Sequence, residues 1–305
     1  SGLRGIVYRE VLGLEEGRVE EIIEQTEAEI RTLGEALSTD RLATGLSPHA
    51  PYSLSRRLLS ASADLARREG LRAAMHVAES PAEMEYLLTG TGPIAERLLP
   101  FTGFAHIPAQ VVGARPLAYL KACGLWGQGL LLVHGVHLTE TECRGAAEVG
   151  ATVAYCPRSN AFLRVGRPPL AAMLEAGLPV GLGTDSLASN TSLSLWDELR
   201  FAATDQPGLL TPAGWMAMAT LGGARALGLE AQGGSLTPGK RADLIAVRAP
   251  SRVQDLAEYL VWEGDPDRIA LCLVDGAALP GGPGADLPGM SRAMAGPATA
   301  RQEWR

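Results

Sequence analysis

The chain of 305 residues has only four cysteines, Cys123, Cys143, Cys156 and Cys272, and no C-x-x-C pair. Their spacing gives no disulfide framework and fits a reducing compartment. Lysine is almost missing: Lys121 and Lys240 are the only two among 27 basic residues. Against 34 acidic residues the formal charge is −7, which argues against a surface built to coat nucleic acid. No stretch approaches 18 uninterrupted apolar residues, so no helical membrane span is expected, and no secretory signal is visible within the sequence. A P-loop, a G-x-S-x-G elbow and a dinucleotide fingerprint are also missing. These absences predict a cytoplasmic protein with neither nucleic acid nor membrane as partner, which leaves a small-molecule substrate as the expected partner class.

What is present supports a packed core: 46% of residues are hydrophobic and 20% charged. One rhythm repeats along the chain, a short apolar run followed by a turn and a helix-period segment. The runs are Gly2–Tyr8, Leu42–Leu46, Leu71–Val77, Leu130–Val136, Thr152–Cys156 and Pro179–Thr184. Helical spacing predicts helices over Val19–Leu37, from Leu54 with Ser53 as N-cap, and near Ala82–Thr89, Thr139–Val149, Pro168–Pro169, Leu193–Thr204 and Trp215–Leu229. Apolar strands alternating with helices predict an α/β fold with a parallel sheet covered on both faces. After residue 230 the texture changes. Gly233–Val247, Leu260–Trp262 and Ile269–Val274 predict a small β unit, and the Gly/Pro/Ala-rich 281–305 predicts a flexible tail.

Polar residues gather at the C-terminal ends of the predicted strands, where α/β barrels place their chemistry. His49 follows the second run, His76 and Glu79 the third, His134 the fourth, Cys156–Asn160 the fifth and Asp185 the sixth. A single histidine at a strand end is more often a hydrogen-bonded structural residue. Three at successive strand ends favour a site. By strand alternation Arg72, Ala74 and His76 share one face, and Leu130, Leu132 and His134 share a face. Gly181, Gly183 and Asp185 also share a face, whose small residues leave room for a metal or ligand. Imidazole and carboxylate donors suit one divalent ion, Zn or Fe. His76 and Asp185 are the metal-ligand candidates. Glu79 is the candidate proton shuttle, and His134 the candidate donor to an attacking water or developing oxyanion. Phe162, Trp196 and Trp215 could line a ring pocket, with core packing as the blander reading. Arg158 and Arg164 could meet an anion, with solvated surface as theirs.

The motifs SPHAPYS, H-V-A-E, V-H-G, C-P-R-S-N, G-T-D-S-x-x-S-N and G-x-L-x-P-G-K-x-A-D-L run in order from Gly2 to Val274. In that order the sequence resembles the amidohydrolase superfamily, in its aminohydrolase and chlorohydrolase branch, which includes guanine deaminase and methylthioadenosine/adenosylhomocysteine deaminase. The resemblance implies a TIM-like (β/α)8 metal-dependent hydrolase barrel with a small composite β-sandwich. On these motifs that means a partial barrel over 1–230 and the C-terminal part of the sandwich over 231–280. It implies His76 and Asp185 as metal ligands and Glu79 and His134 as catalytic residues. It also implies that His49 lies beside the substrate, with Asn160 as a second substrate contact. The implied reaction is metal-assisted hydrolysis, most often deamination of an aromatic nitrogen heterocycle.

One feature departs from the family pattern: no H-x-H pair occurs anywhere in the sequence. With Asp185 on barrel strand eight, Gly2–Tyr8 counts as strand three. Strands one and two and the H-x-H ligands are then expected upstream of Ser1. The alternative is a non-catalytic truncated barrel, a binding or assembly module whose open strand edges favour homo-oligomers. A sugar-phosphate barrel would need a Gly-rich phosphate loop after the late strands, which CPRSN and GTDS do not supply.

Overall fold

Six apolar runs become six parallel strands in a computed structural model that describes residues 2–37, 40–279 and 282–283. They are β1 (Gly5–Val11), β2 (Leu42–Pro48), β3 (Arg72–Val77), β4 (Leu130–His134), β5 (Thr152–Tyr155) and β6 (Val180–Leu182). Each pairs with the next in sequence, so the order is β1-β2-β3-β4-β5-β6, all parallel. Sequential parallel order with helical crossovers is the build of a (β/α)8 barrel, of which six consecutive strands are described. The first strand sits three residues later than the apolar pattern of Gly2–Tyr8 places it.

Register explains the core. Met75, Leu132, Val153 and Val180 form one continuous row across β3 to β6. All four are buried, in the cluster that also holds the inner faces of the helices. Burying each such side chain stabilises the fold by roughly 1.5–3 kcal/mol. The helices that supply the other half of this core are α1 (Val19–Ala36), α2 (Arg56–Arg68), α3 (Pro81–Thr89) and α4 (Leu99–Phe101), then α5 (Pro116–Ala122) and α6 (Glu140–Glu148). Further along come α7 (Pro157–Leu163), α8 (Leu170–Glu175), α9 (Leu195–Asp205), α10 (Pro212–Ala217) and α11 (Gly223–Ala226).

Local chemistry sets their ends. The α2 N-cap is Ser55, whose side chain accepts from the Leu58 amide, and not Ser53. Ser53 is engaged instead with the His49 ring. Thr139 and Glu142 form a reciprocal capping box that starts α6. Between Thr89 and Leu130 the apolar periodicity predicts no element; a π-helical stretch, Ile94–Leu98, runs directly into α4, and α5 is only seven residues long, so neither shows a clear period of about 3.6 residues.

On the opposite face of the sheet a second row reads His76, Val133, Ala154 and Gly181. The space left by Gly181 is filled by protein: a Cβ there would lie 2.7 Å from the Cα of Gly223 at the start of α11. A Cβ on Gly183 would meet the Cys156 sulfur at 3.0 Å. These two glycines therefore admit a helix and a thiol, which corrects the expectation that they leave room for a ligand.

The small β unit is a three-stranded antiparallel sheet, β7 (Leu244–Val247), β8 (Ile269–Val274) and β9 (Ala277–Ala278). Leu260–Trp262, expected as a strand, lies inside α12 (Leu256–Glu263). Asp255 caps that helix by accepting from the amides of Ala257 and Glu258, a signal that outweighs a three-residue apolar run. An ion-pair seam joins this sheet to the start of β1 and β2. Arg4 bonds Asp243 and Asp275, Arg41 bonds Asp275, and Arg241 bonds Asp275 and Asp40, all at 2.7–2.9 Å. Apart from 282–283, the expected tail over 281–305 lies outside the described residues. Among the described residues no helix is long and apolar enough to cross a membrane.

Candidate metal centre

Three side chains from three strand ends converge. One donor atom from each of His76, His134 and Asp185 lies within 4.8 Å of the others. The His76 and His134 rings stack with centroids 5.5 Å apart. Glu79 joins them, with Oε1 3.5 Å from His134 Nε2, and Asp185 Oδ2 stands 3.9 Å from the same nitrogen.

Alternation alone does not build this group. Val133 pairs with His76, so Val133 shares its face and a regular strand would turn His134 to the far side, beside Leu132. His134 instead has φ 70, in the left-handed region. That turn swings its ring onto the His76 face. Ala78, just after β3, has φ 50, and Asp185, just after β6, has φ 57. Non-glycine residues there cost of order 1–3 kcal/mol each, and they persist where surrounding contacts hold them. Each of the three strand ends that form the centre thus carries one such residue.

Those contacts fix each donor. His76 Nδ1 bonds the backbone oxygen of His49 at 2.9 Å, which leaves Nε2 as its free donor atom. His134 Nδ1 bonds Asn160 Oδ1 at 2.9 Å, and Nε2 faces the two carboxylates. Asp185 Oδ2 accepts from Ser159 and Ser189, each at 2.6 Å. Asn160, expected at the substrate, supports His134, and its Nδ2 has no partner among the described residues. His49, also expected at the substrate, lies beside the centre with its ring 5.1 Å from that of His76 and bonded to Ser53.

Electrostatics follow from burial and partners. Burial pushes His134 and His49 below the ordinary imidazole range, so both are held neutral and able to offer a lone pair. For Asp185 burial acts upward, but the hydroxyls of Ser159 and Ser189 and the nearby His134 outweigh it, and the carboxyl sits below its usual range. No lysine or arginine pairs with Glu79 or Asp185 among the described residues. Two carboxylates and two imidazoles with free donor atoms, and no cation to balance them, are a donor set that fits a divalent ion.

The pattern had passed over three residues. Ser159 and Ser189 sit inside CPRSN and GTDSxxSN, and only the fold shows that both aim at Asp185. Glu83 is fully buried and accepts from the amides of Ala78 and Glu79. Its signal was the S-x-x-E spacing of Ser80 and Glu83. Of the ring-pocket candidates, Trp215 is buried in the core, Trp196 packs against it and Phe162 is exposed. Arg158 bonds Thr191 and pairs with Asp197.

Parallel strands in sequential order, with their chemistry collected at the C-terminal ends, define an α/β-barrel protein with a candidate metal centre. The chain belongs to the amidohydrolase family, whose model matches residues 1–276. Aminodeoxyfutalosine deaminase of Deinococcus radiodurans is 35% identical over 232 residues, covering 74% of this chain and 55% of that protein. A 5-methylthioadenosine/S-adenosylhomocysteine deaminase of Pelotomaculum thermopropionicum is 34% identical over 288 residues, covering 90% and 60%. This chain thus spans just over half the length of those curated relatives. Among solved structures, Helicobacter pylori aminofutalosine deaminase superposes with TM-score 0.80 at 25% identity, covering 92% of this chain and 69% of its own. A zinc-bound adenosine deaminase from Xanthomonas campestris gives 0.71 at 26% identity, covering 91% and 61%.

Proposed function

We propose that the protein is a metal-dependent aminohydrolase that removes the exocyclic amino group of a purine-type nucleoside. The observation that carries this reading is the convergence of His76, His134 and Asp185 within 4.8 Å, with Glu79 beside them. The named activities of the relatives, all deaminations of nucleoside-like compounds, support the substrate class. In this reading the ion is zinc, with iron as the other candidate. His76 and Asp185 hold it, together with an H-x-H pair from a segment outside this sequence.

A divalent ion held there supplies Lewis acidity and brings the pKa of water toward about 7. The chain's own residues do the rest. Glu79 takes a proton from the attacking water and passes it to the ring nitrogen beside the reacting carbon, then moves the remaining hydroxyl proton to the departing amine, so that N=C–NH2 and H2O become HN–C=O and NH3. His134, neutral and with its Nδ1–H donating to Asn160 Oδ1, presents the lone pair of Nε2, which accepts from the attacking water and orients it. Asp185, ionised below its usual range, anchors the opposite side of the centre. His49, whose ring is 5.1 Å from that of His76, and Asn160, through its unpartnered Nδ2, are read as contacts to the base of the substrate. All four cysteines are free, which supports a reducing, cytoplasmic location.

The test is direct. Full-length protein is assayed for ammonia release from adenosine, methylthioadenosine, adenosylhomocysteine and aminofutalosine, with metal content measured in parallel. Ammonia release with about one zinc or iron per chain is expected. Protein that holds neither metal and releases no ammonia would point to the binding-module alternative.

A further inference from the structure

Glu83 is the third residue of α3, and its side chain has no exposure to solvent. In an ordinary capping box such a residue reaches back to the N-cap amide alone. Here Ser80 is the N-cap, accepting from the Glu83 amide at 3.2 Å. The Glu83 carboxylate extends further back along the chain. Oε1 accepts from Ala78 N and Oε2 from Glu79 N, both at 2.9 Å. The two amides flank the left-handed turn at Ala78, φ 50, that carries the chain from β3 to Glu79. The other side of the turn is bound to the β4 end, where the Ala78 oxygen accepts from His137 N at 2.8 Å and the Val77 oxygen accepts from Gly135 N at 3.1 Å. Without the carboxylate, the buried Ala78 amide and the part-buried Glu79 amide on this strained turn would lose their acceptor, at about 1–3 kcal/mol for the buried one.

We propose that Glu83 is a positioning residue for Glu79: its carboxylate clamps the Ala78–Glu79 amides and so aims the Glu79 side chain at His134 and the ion-binding donors. This rests on the reading of Glu79 as the proton carrier. Glu83 touches neither the His76, His134 and Asp185 donors nor the reacting atoms, and acts only through the backbone of its neighbour. A glutamine in its place keeps the shape but turns an NH2 group toward one of the two amides, so one bond of the clamp is replaced by a donor facing a donor.

The experiment uses full-length protein with Glu83→Gln, Glu79→Gln and the double variant. Ammonia release gives kcat and KM, and hydrogen exchange is followed on the 77–84 peptide. Glu83→Gln is expected to raise exchange of the Ala78 and Glu79 amides and to lower kcat ~10–100-fold, with KM changed less than about 3-fold, as for a supporting contact of a site residue. In the Glu79→Gln background the same change should lower kcat no further, because the group it aims is gone. An equal fall in kcat in both backgrounds would overturn the proposal, as would unchanged exchange. If the parent releases no ammonia, the functional reading fails first. Loss of amide protection in Glu83→Gln would then mark a structural clamp, and the positioning role would fall with the reading.

Discussion

Two clusters of charge lie in this molecule, and they are built on opposite principles. At the seam between the small sheet and the first strands, Arg4, Arg41 and Arg241 meet Asp40, Asp243 and Asp275. Each acid has a guanidinium at 2.7–2.9 Å, and the charges cancel within the cluster. At the strand ends, Glu79 and Asp185 face imidazoles and hydroxyls, with no guanidinium or ammonium bonded to either among the described residues. A balanced cluster has its attraction satisfied and serves to hold two parts together. An unbalanced one, kept half-buried by strained backbone, retains an electrostatic demand that a cation can meet. Both are acidic groups close together, and only the identity of their partners tells a staple from a candidate metal centre.

The largest test of that contrast is Asp185→Asn against Asp275→Asn. The first should abolish deamination and strip the bound metal, read by ammonia release and metal analysis. The second should leave both intact. Next in size, Glu79→Gln should lower kcat by ~10²–10⁴-fold while metal content holds. A variant that stays fully active would remove Glu79 from the proton path. Ser159→Ala deletes one of the two hydroxyls on Asp185, and metal affinity should weaken ~10–100-fold in a competition titration with a chelator. At the seam, Asp275→Asn should lower stability by about 2 kcal/mol in a denaturant melt, because Arg4 is largely buried and loses a charged acceptor.

The smallest effect separates the regions by pH. Burial chiefly pushes Glu83 from its ordinary 4.5 up to about 7, so the folded state favours the protonated form. Its contribution to stability is complete below about pH 4.5 and is lost as pH rises through 7. Asp275 goes the other way: burial acts upward, but Arg241, Arg41 and Arg4 outweigh it and hold the carboxyl below its usual value. Its contribution is present above about pH 4 and is lost on further acidification. Thermal melts of Glu83→Gln and Asp275→Asn against the parent, from pH 3 to 8, should show differences that change with opposite slopes. Parallel slopes would contradict the contrast.

Much of the centre was legible before any fold. His76, His134 and Asp185 each end an apolar run, and the position of a strand end follows from local composition. The balance of roles was less legible. That Asn160 Oδ1 holds the His134 ring shows only in the fold. Gly181 makes way for Gly223, not for a ligand. Leu260–Trp262 looked like a strand because three apolar residues in a row carry no period, and the Asp255 cap decided it as a helix. Each miss concerns a partner distant in sequence or a run too short to show its periodicity.

The sequence by itself determined the parallel α/β order, the apolar rows that drive it, and which strand ends carry imidazoles and carboxylates. These depend on side-chain type and spacing along a few neighbouring residues, and that information is local. Tertiary structure decided that the centre assembles at all. His134 belongs to the wrong face of β4 until a φ of 70 turns it toward His76. Ala78 and Asp185 hold similar turns, which neighbouring strands and buried partners such as Glu83, Ser159 and Ser189 sustain. A positive φ at a non-glycine strand end is disfavoured in an isolated chain by ~1–3 kcal/mol, and packing and hydrogen bonds from distant segments overcome that cost.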